Sequence, residues 1–168
     1  MVVLENCRSS VKIISSVAGD ATSAGFVAIG RNRLDLTLKN CLFDGNFISE
    51  AGTNFSGLIG YHHDITSNPC ILTISDCAVI LGDETSERLK TEAGSMTFIR
   101  HADSLVPVFE GNILYTSVLG GNQDAGEAAS PAYLSLADAA EAAGAANKEV
   151  GTKVIAGQTL YYLAETAE

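Results

Sequence analysis

The chain has 168 residues, ten basic against twenty acidic side chains, and a formal charge of −10. That length holds one domain, or one with a small appendage. Positive charge is nowhere concentrated, so an electrostatic footprint for nucleic acid or for anionic membranes is excluded. With 46% hydrophobic and 18% charged residues the chain is not a disordered acidic tail either.

The first segment, Met1-Val2-Val3-Leu4-Glu5-Asn6-Cys7, opens in what reads as mid-strand and lacks the basic stretch and long apolar run of a signal peptide. The expectation is a fragment of a longer parent chain, with Met1 added and any secretion signal removed. Apolar runs such as Cys77 to Leu81 fall far short of the roughly 20 residues that span a bilayer, so no membrane insertion is expected.

This first strand also opens an internal repeat. Val2-Val3-Leu4-Glu5-Asn6-Cys7 matches Leu36-Thr37-Leu38-Lys39-Asn40-Cys41 after 34 residues, and Leu72-Thr73-Ile74-Ser75-Asp76-Cys77 after 36 more. Another 36 residues on, Val108-Phe109-Glu110-Gly111-Asn112-Ile113 sets Asn112 at the Asn/Asp position and Ile113 at the cysteine. Strict alternation would put Leu36, Leu38 and Asn40 on one face and Cys41 on the other. The cysteine breaks the pattern, which predicts a bend at Asn40 or Asp76, residues that tolerate the left-handed conformation.

Two further apolar stretches fill each period. Val11 to Val17, Leu42 to Ile48 and Ala78 to Leu81 form one set; Ala24 to Gly30, Ser56 to Tyr61 and Gly94 to Ile99 form the other. Turn residues separate them. Three short strands about every 35 residues describe a right-handed parallel β-helix of three to four coils, 34–36 residues per coil, over residues 1–121. Equivalent side chains would then stack at about 4.8 Å, with Asn6, Asn40, Asp76 and Asn112 in one column and Cys7, Cys41 and Cys77 in another. Buried thiols are the reading of that column; a disulfide between coils is the alternative, and parallel Cβ directions make it awkward. Cys70 has no counterpart and no role. Turns at 19–24, 50–55 and 83–93 are expected to protrude.

After Gly120-Gly121 the pattern changes. Ser130-Pro131 reads as an N-cap followed by a helix over 131–143 that stops at Gly144. Residues 149–155 and 159–163 read as a hairpin or two short strands. Residues 122–168 thus form a small α/β cap, expected to cover the open end of the stack.

The Asn-Cys strand ends, Gly57-Leu58-Ile59-Gly60, and the run Ile113 to Gly121 resemble the GLUG-type repeats of large secreted and surface-anchored bacterial proteins. The resemblance spans about residues 1–121; Gly25-Phe26-Val27-Ala28 departs from the signature at its last position. It implies an extracellular, adhesin-like β-helix, with no catalytic residues and no cofactor to carry over.

Candidate chemistry is sparse. Aligning Gly57 to Asp64 with Met96 to Asp103 sets His101 over His62 and Asp103 over Asp64, a candidate surface metal site. The competing reading is exposed turn residues, since His62 and His63 point to opposite faces of a strand. Hydrolysis of a polysaccharide needs two carboxylates about 5 to 9.5 Å apart. Asp35, Asp44, Asp64 and Asp76 are available, but none pairs with another beside a basic cluster, and the chain has no Trp to stack on a sugar. The sequence therefore reads as a non-catalytic structural or adhesive module whose partner is a glycan or a host-surface protein. A carbohydrate-active β-helix, lyase or glycoside hydrolase, is the alternative.

Overall fold

The computed structural model describes residues 1–16, 19–31, 35–49, 53–63, 71–80, 96–103, 107–116 and 129–166. The protein is mostly β with one short helix, and a curled sheet forms a half-barrel. The strands fall into tiers that follow the repeat. The first holds β1 (Val2–Glu5), β2 (Arg8–Ser9), β3 (Lys12–Ser15), β4 (Gly19–Ala24) and β5 (Val27–Arg31). The second holds β6 (Leu36–Lys39), β7 (Leu42–Phe43), β8 (Asn46–Ser49) and β9 (Thr53–His63). The third holds β10 (Leu72–Ile80) and β11 (Met96–Asp103), and the fourth begins with β12 (Val108–Thr116). The segment at 19–24 is thus a strand rather than a protruding turn, and 53–55 opens another. Residues 50–52 and 83–93 lie outside the described residues, as do Cys70 and Gly120-Gly121.

Each tier lies beside the next in parallel and in the register the repeat dictates. Leu4, Leu38 and Ile74 align across β1, β6 and β10, and Phe109 follows on β12. Arg8, Leu42, Ala78 and Leu114 align in the same way beyond the bend. β3 pairs β8, and β9 is flanked by β4 and β5 on one side and β11 on the other.

The bend is where the sequence places it. Asn6, Asn40 and Asp76 have φ of 55°, 51° and 49°. Their left-handed backbone turns the chain so that the cysteine, not the asparagine, joins the leucine face. Leu36, Leu38, Cys41, Leu72, Ile74, Cys77 and Ile113 accordingly form one buried core with Phe43, Leu58, Ile59 and Val79.

The fourth tier departs from the expected alignment. Gly111, with φ 64°, takes the corner there, and Asn112 falls one residue later. Ser75 aligns with Glu110 and Cys77 with Ile113, so Gly111 and Asn112 together face Asp76 in a bulge. Glycine is needed on two counts. Its φ is positive, and a Cβ would run into the Asp76 carboxyl.

Close approach explains the glycine that opens the Gly-Leu-Ile-Gly element. A Cβ at Gly57 would lie 2.8 Å from Val79 Cγ1, and one at Gly25 would lie 2.8 Å from Phe43 Cγ. Phe43 and Val79 are themselves register partners. The glycine column is therefore required where the chain crosses the inward residue of the next tier, Phe43 or Val79.

The C-terminal segment differs from expectation at its start. Ala129–Tyr133, with Ser130 and Pro131 inside it, is a strand, β13, which pairs in parallel with the second half of β12. Pairing on that free edge overrides the Ser-Pro cap signal. The helix α1 spans Leu136–Ala146, five residues later than read, with Ser135 as N-cap: its Oγ accepts from the amides of Ala137 (3.2 Å) and Asp138 (3.4 Å). It runs through Gly144 and stops at left-handed Asn147 (φ 54°), where the Lys148 amide donates to the Ala143 carbonyl at 2.9 Å. β14 (Glu149–Ile155) and β15 (Gln158–Ala164) form the expected hairpin. Ala156 and Gly157 both have positive φ, the geometry of a two-residue type I′ turn.

The hairpin does more than extend the end of the stack. β15 pairs antiparallel with β13, and Ile155 and Leu160 pack against Leu42, Ala78, Ile80 and Leu114. Those four lie on the outward side of the strands that follow the bend. The segment is thus a lateral cover across several tiers.

Candidate functional site

The corner column and the hairpin that meets it share a polar network. Asn40 donates its side-chain amide to Asn6 Oδ1, and its own Oδ1 accepts from the Ala156 amide at 3.0 Å. Asp76 Oδ1 accepts from the Asn112 amide and from Lys153 Nζ, both at 2.9 Å. Burial pushes the Asp76 carboxyl up, but the Asn112 amide and the Lys153 ammonium outweigh it and hold the group below the usual carboxylate range. Asparagine at the second tier takes a neutral turn amide; aspartate at the third takes a lysine. Both choices follow from what the hairpin presents. The column is thus a docking rail for residues 153–156 as well as a corner.

Its expected fourth member contributes differently. Asn112 lies beside the column through its backbone amide, not as its corner residue.

A second polar cluster joins the first two tiers. Asp44 accepts from Arg8 Nε at 2.9 Å, from Arg8 Nη2 and from the Ser10 hydroxyl. Partial burial raises its carboxyl, and the hydrogen bonds from Arg8 and Ser10 with the guanidinium charge more than offset that, leaving it below the ordinary range. Asp35 Oδ1 accepts from the Ile71 amide at 2.9 Å. On the outer face Lys39 bridges Glu5 at 2.9 Å. Asp35, Asp44 and Asp76 are therefore each engaged in tier-to-tier contacts, and Asp64 lies outside the described residues. A carboxyl held low is ionised at neutral pH and cannot serve there as the acid that protonates a leaving group.

The cysteine column is internal. Cys41 and Cys77 are fully buried, and Cys7, Cys41 and Cys77 are free thiols. Cys41 Sγ donates to the Leu4 carbonyl at 3.3 Å and Cys77 Sγ to the Leu38 carbonyl at 3.6 Å, each one tier back. The hydrogen-bonded neighbour Cys41 and burial push the Cys77 thiol well above the usual cysteine range, so it stays protonated.

The histidine alignment shifts by one residue. His101 pairs with Tyr61, Ala102 with His62 and Asp103 with His63. His62 and His101 therefore do not share a register position as read from sequence: β11 starts with Met96 opposite Phe55, two residues earlier than that alignment, and the bulge between Thr97 and Ile99 takes up only one of them. Among the described residues no group of three or more His, Cys, Asp or Glu is placed to hold a metal ion. Also among them, no helix is long and apolar enough to cross a membrane.

The outward position after the cysteine was the signal the sequence reading missed. It is Arg8 in the first tier and Leu42, Ala78 and Leu114 in the next three. It turns apolar where the hairpin lies over it. Comparison with protein-family models, with curated proteins and with solved structures found no match.

Proposed function

We propose that the chain is a right-handed parallel β-helical module, structural or adhesive and non-catalytic, from an extracellular bacterial surface protein. The observation that carries the architecture is the column of left-handed corners at Asn6, Asn40 and Asp76, each directly after a strand that lies in parallel register with the other two. A chain that returns to one corner every 34–36 residues, always in parallel, is winding. The GLUG-type resemblance of residues 1–121 supports placing it outside the cell.

The non-catalytic reading is supported by the chemistry of the acids. Asp44 and Asp76 are held ionised and committed to Arg8 and Lys153, and Asp35 to a backbone amide. Their role is to join tiers. Outward-facing side chains such as Glu5, Lys39 and Glu110 would carry contact with a glycan or a host-surface protein.

A polysaccharide panel assayed for both binding and cleavage tests the reading. Binding without release of reducing ends or unsaturated products fits an adhesive module, and silence in both assays fits a spacer. Cleavage of any member would replace the proposal with a carbohydrate-active enzyme.

A further inference from the structure

Cys41 and Cys77 are the fully buried pair of the cysteine column, and the ladder sets their backbones side by side. The register brackets them: Leu38 lies opposite Ile74 before the corner, and Leu42 opposite Ala78 after it. Within that bracket the Asn40 amide donates to the Ser75 carbonyl and the Ala78 amide to the Cys41 carbonyl, both at 2.9 Å. Strands joined in this way run about 4.8 Å apart. That lies inside the Cα separation of about 4.4 to 6.8 Å that a disulfide spans. Both residues follow a left-handed corner of nearly equal φ, 51° at Asn40 and 49° at Asp76, and both thiols enter the same core.

The sulfurs also interact with each other. Their mutual hydrogen bond is the largest influence on either thiol, and Cys7 acts on Cys41 more weakly. It holds the Cys41 thiol below the usual cysteine range against the effect of burial, so Cys41 is the member of the pair that ionises first. The remaining partners are main-chain carbonyls at 3.3 to 3.6 Å, weak contacts for a thiol donor.

We propose that Cys41 and Cys77 are a disulfide pair, joined in an oxidising medium so that a covalent bond ties the second tier to the third. Parallel Cβ directions are met by one rotation. Cys41 turns its sulfur from the Leu4 carbonyl toward Cys77, whose own sulfur already leans back to the Leu38 carbonyl on the second tier. The oxidant is a small-molecule disulfide. The Cys41 thiolate attacks one of its sulfurs, making a mixed disulfide and releasing one small thiol, which takes up the Cys41 proton. Cys77 sulfur then attacks Cys41 sulfur, and the second small thiol leaves with the Cys77 proton. Because both sulfurs are buried in the finished fold, the exchange belongs to the period when the tiers are closing. The inference deepens the reading of an extracellular module, since such a bond persists outside the cell and not in a reducing cytosol. The test below does not depend on that placement.

The whole protein is unfolded in urea with reductant and refolded by dilution into mixed reduced and oxidised glutathione. Remaining thiols are blocked after acid quenching, and peptic fragments made at low pH locate any bond by mass. One bond per chain is expected, between Cys41 and Cys77, with Cys7 and Cys70 left as thiols. It closes a loop between residues 36 apart and should raise Tm by about 10 °C over the reduced protein. The double variant Cys7→Ser, Cys70→Ser should form the same bond, and Cys77→Ala should leave Cys41 unpaired.

Amide exchange at Asn40 and Ala78 separates this proposal from the winding. All cysteines recovered as thiols, or a bond that includes Cys7 or Cys70, with those two amides still protected, overturns the pairing and leaves the stacked tiers standing. A Cys41–Cys77 bond that lowers Tm, or that strips protection from Asn40 and Ala78, shows that the fold does not accommodate it and likewise overturns the proposal. Rapid exchange of both amides in the reduced protein overturns the stacking on which the pairing rests.

Discussion

Removing a side chain from the leucine column gives a loss that depends on the tier. Leu38 is fully buried and sits between Leu4 and Ile74, with a further tier on either side of the pair it forms with Ile74. Its truncation leaves a void that neighbours on two tiers cannot close, because their backbones are fixed by the ladder. Leu→Ala at such a site costs about 3 to 5 kcal/mol, or roughly a 10 °C fall in Tm for a chain of this size. Ile74→Ala should match it. Leu4 carries the same position on the first tier but is only partly buried. Its truncation opens toward solvent, and about 1 to 2 kcal/mol is expected. Urea unfolding of the three variants, read with a common m-value, measures the gradient. Equal losses at Leu4 and Leu38, or a Leu38→Ala variant within about 1 kcal/mol of the parent, would refute in-register stacking.

Charge in the same column should be worse: Leu38→Asp or Ile74→Asp buries an unpaired carboxylate, and far-UV circular dichroism should show an unfolded chain. The Asp76–Lys153 contact gives a pH dependence whose sign is fixed. Asp76 titrates below its unfolded value, so its contribution is full above the unfolded pKa and is lost as pH falls through the folded one. Asp76→Asn should be less stable than the parent by about 1 kcal/mol at pH 7, the pair being partly exposed. The difference should shrink below about pH 4. Gly111→Ala should cost about 2 kcal/mol or more from left-handed strain and the Asp76 contact, and Gly144→Ala, facing open space on the helix, should stabilise by up to about 1 kcal/mol; thermal melts separate the two.

Much of the first 80 residues is legible because their rules are local and repeated. An Asn or Asp before a cysteine marks a left-handed corner, and the break in alternation says which side chain turns inward. Asn6, Asn40 and Asp76 follow from that alone. The fourth tier does not, since Gly111 and Asn112 both suit a corner and only the contact with Asp76 decides between them. The helix start is missed for a related reason. Ser130 and Ser135 are both acceptable caps, and the free edge of β12, remote in sequence, claims the first. The hairpin turn at Ala156-Gly157 was readable in outline. Its resting place was not, although Leu42, Ala78 and Leu114 mark it by being apolar where Arg8 is charged.

Scalar couplings across hydrogen bonds report the winding without reference to side chains. Superposed tiers require the Asn6 amide nitrogen to couple to the Lys39 carbonyl carbon, Asn40 to Ser75, Leu42 to Cys7 and Ala78 to Cys41. Four such correlations, each spanning 33 to 37 residues, two with the donor before its acceptor and two with it after, would establish one column of laps. Couplings from the same amides to partners in a neighbouring hairpin would contradict it.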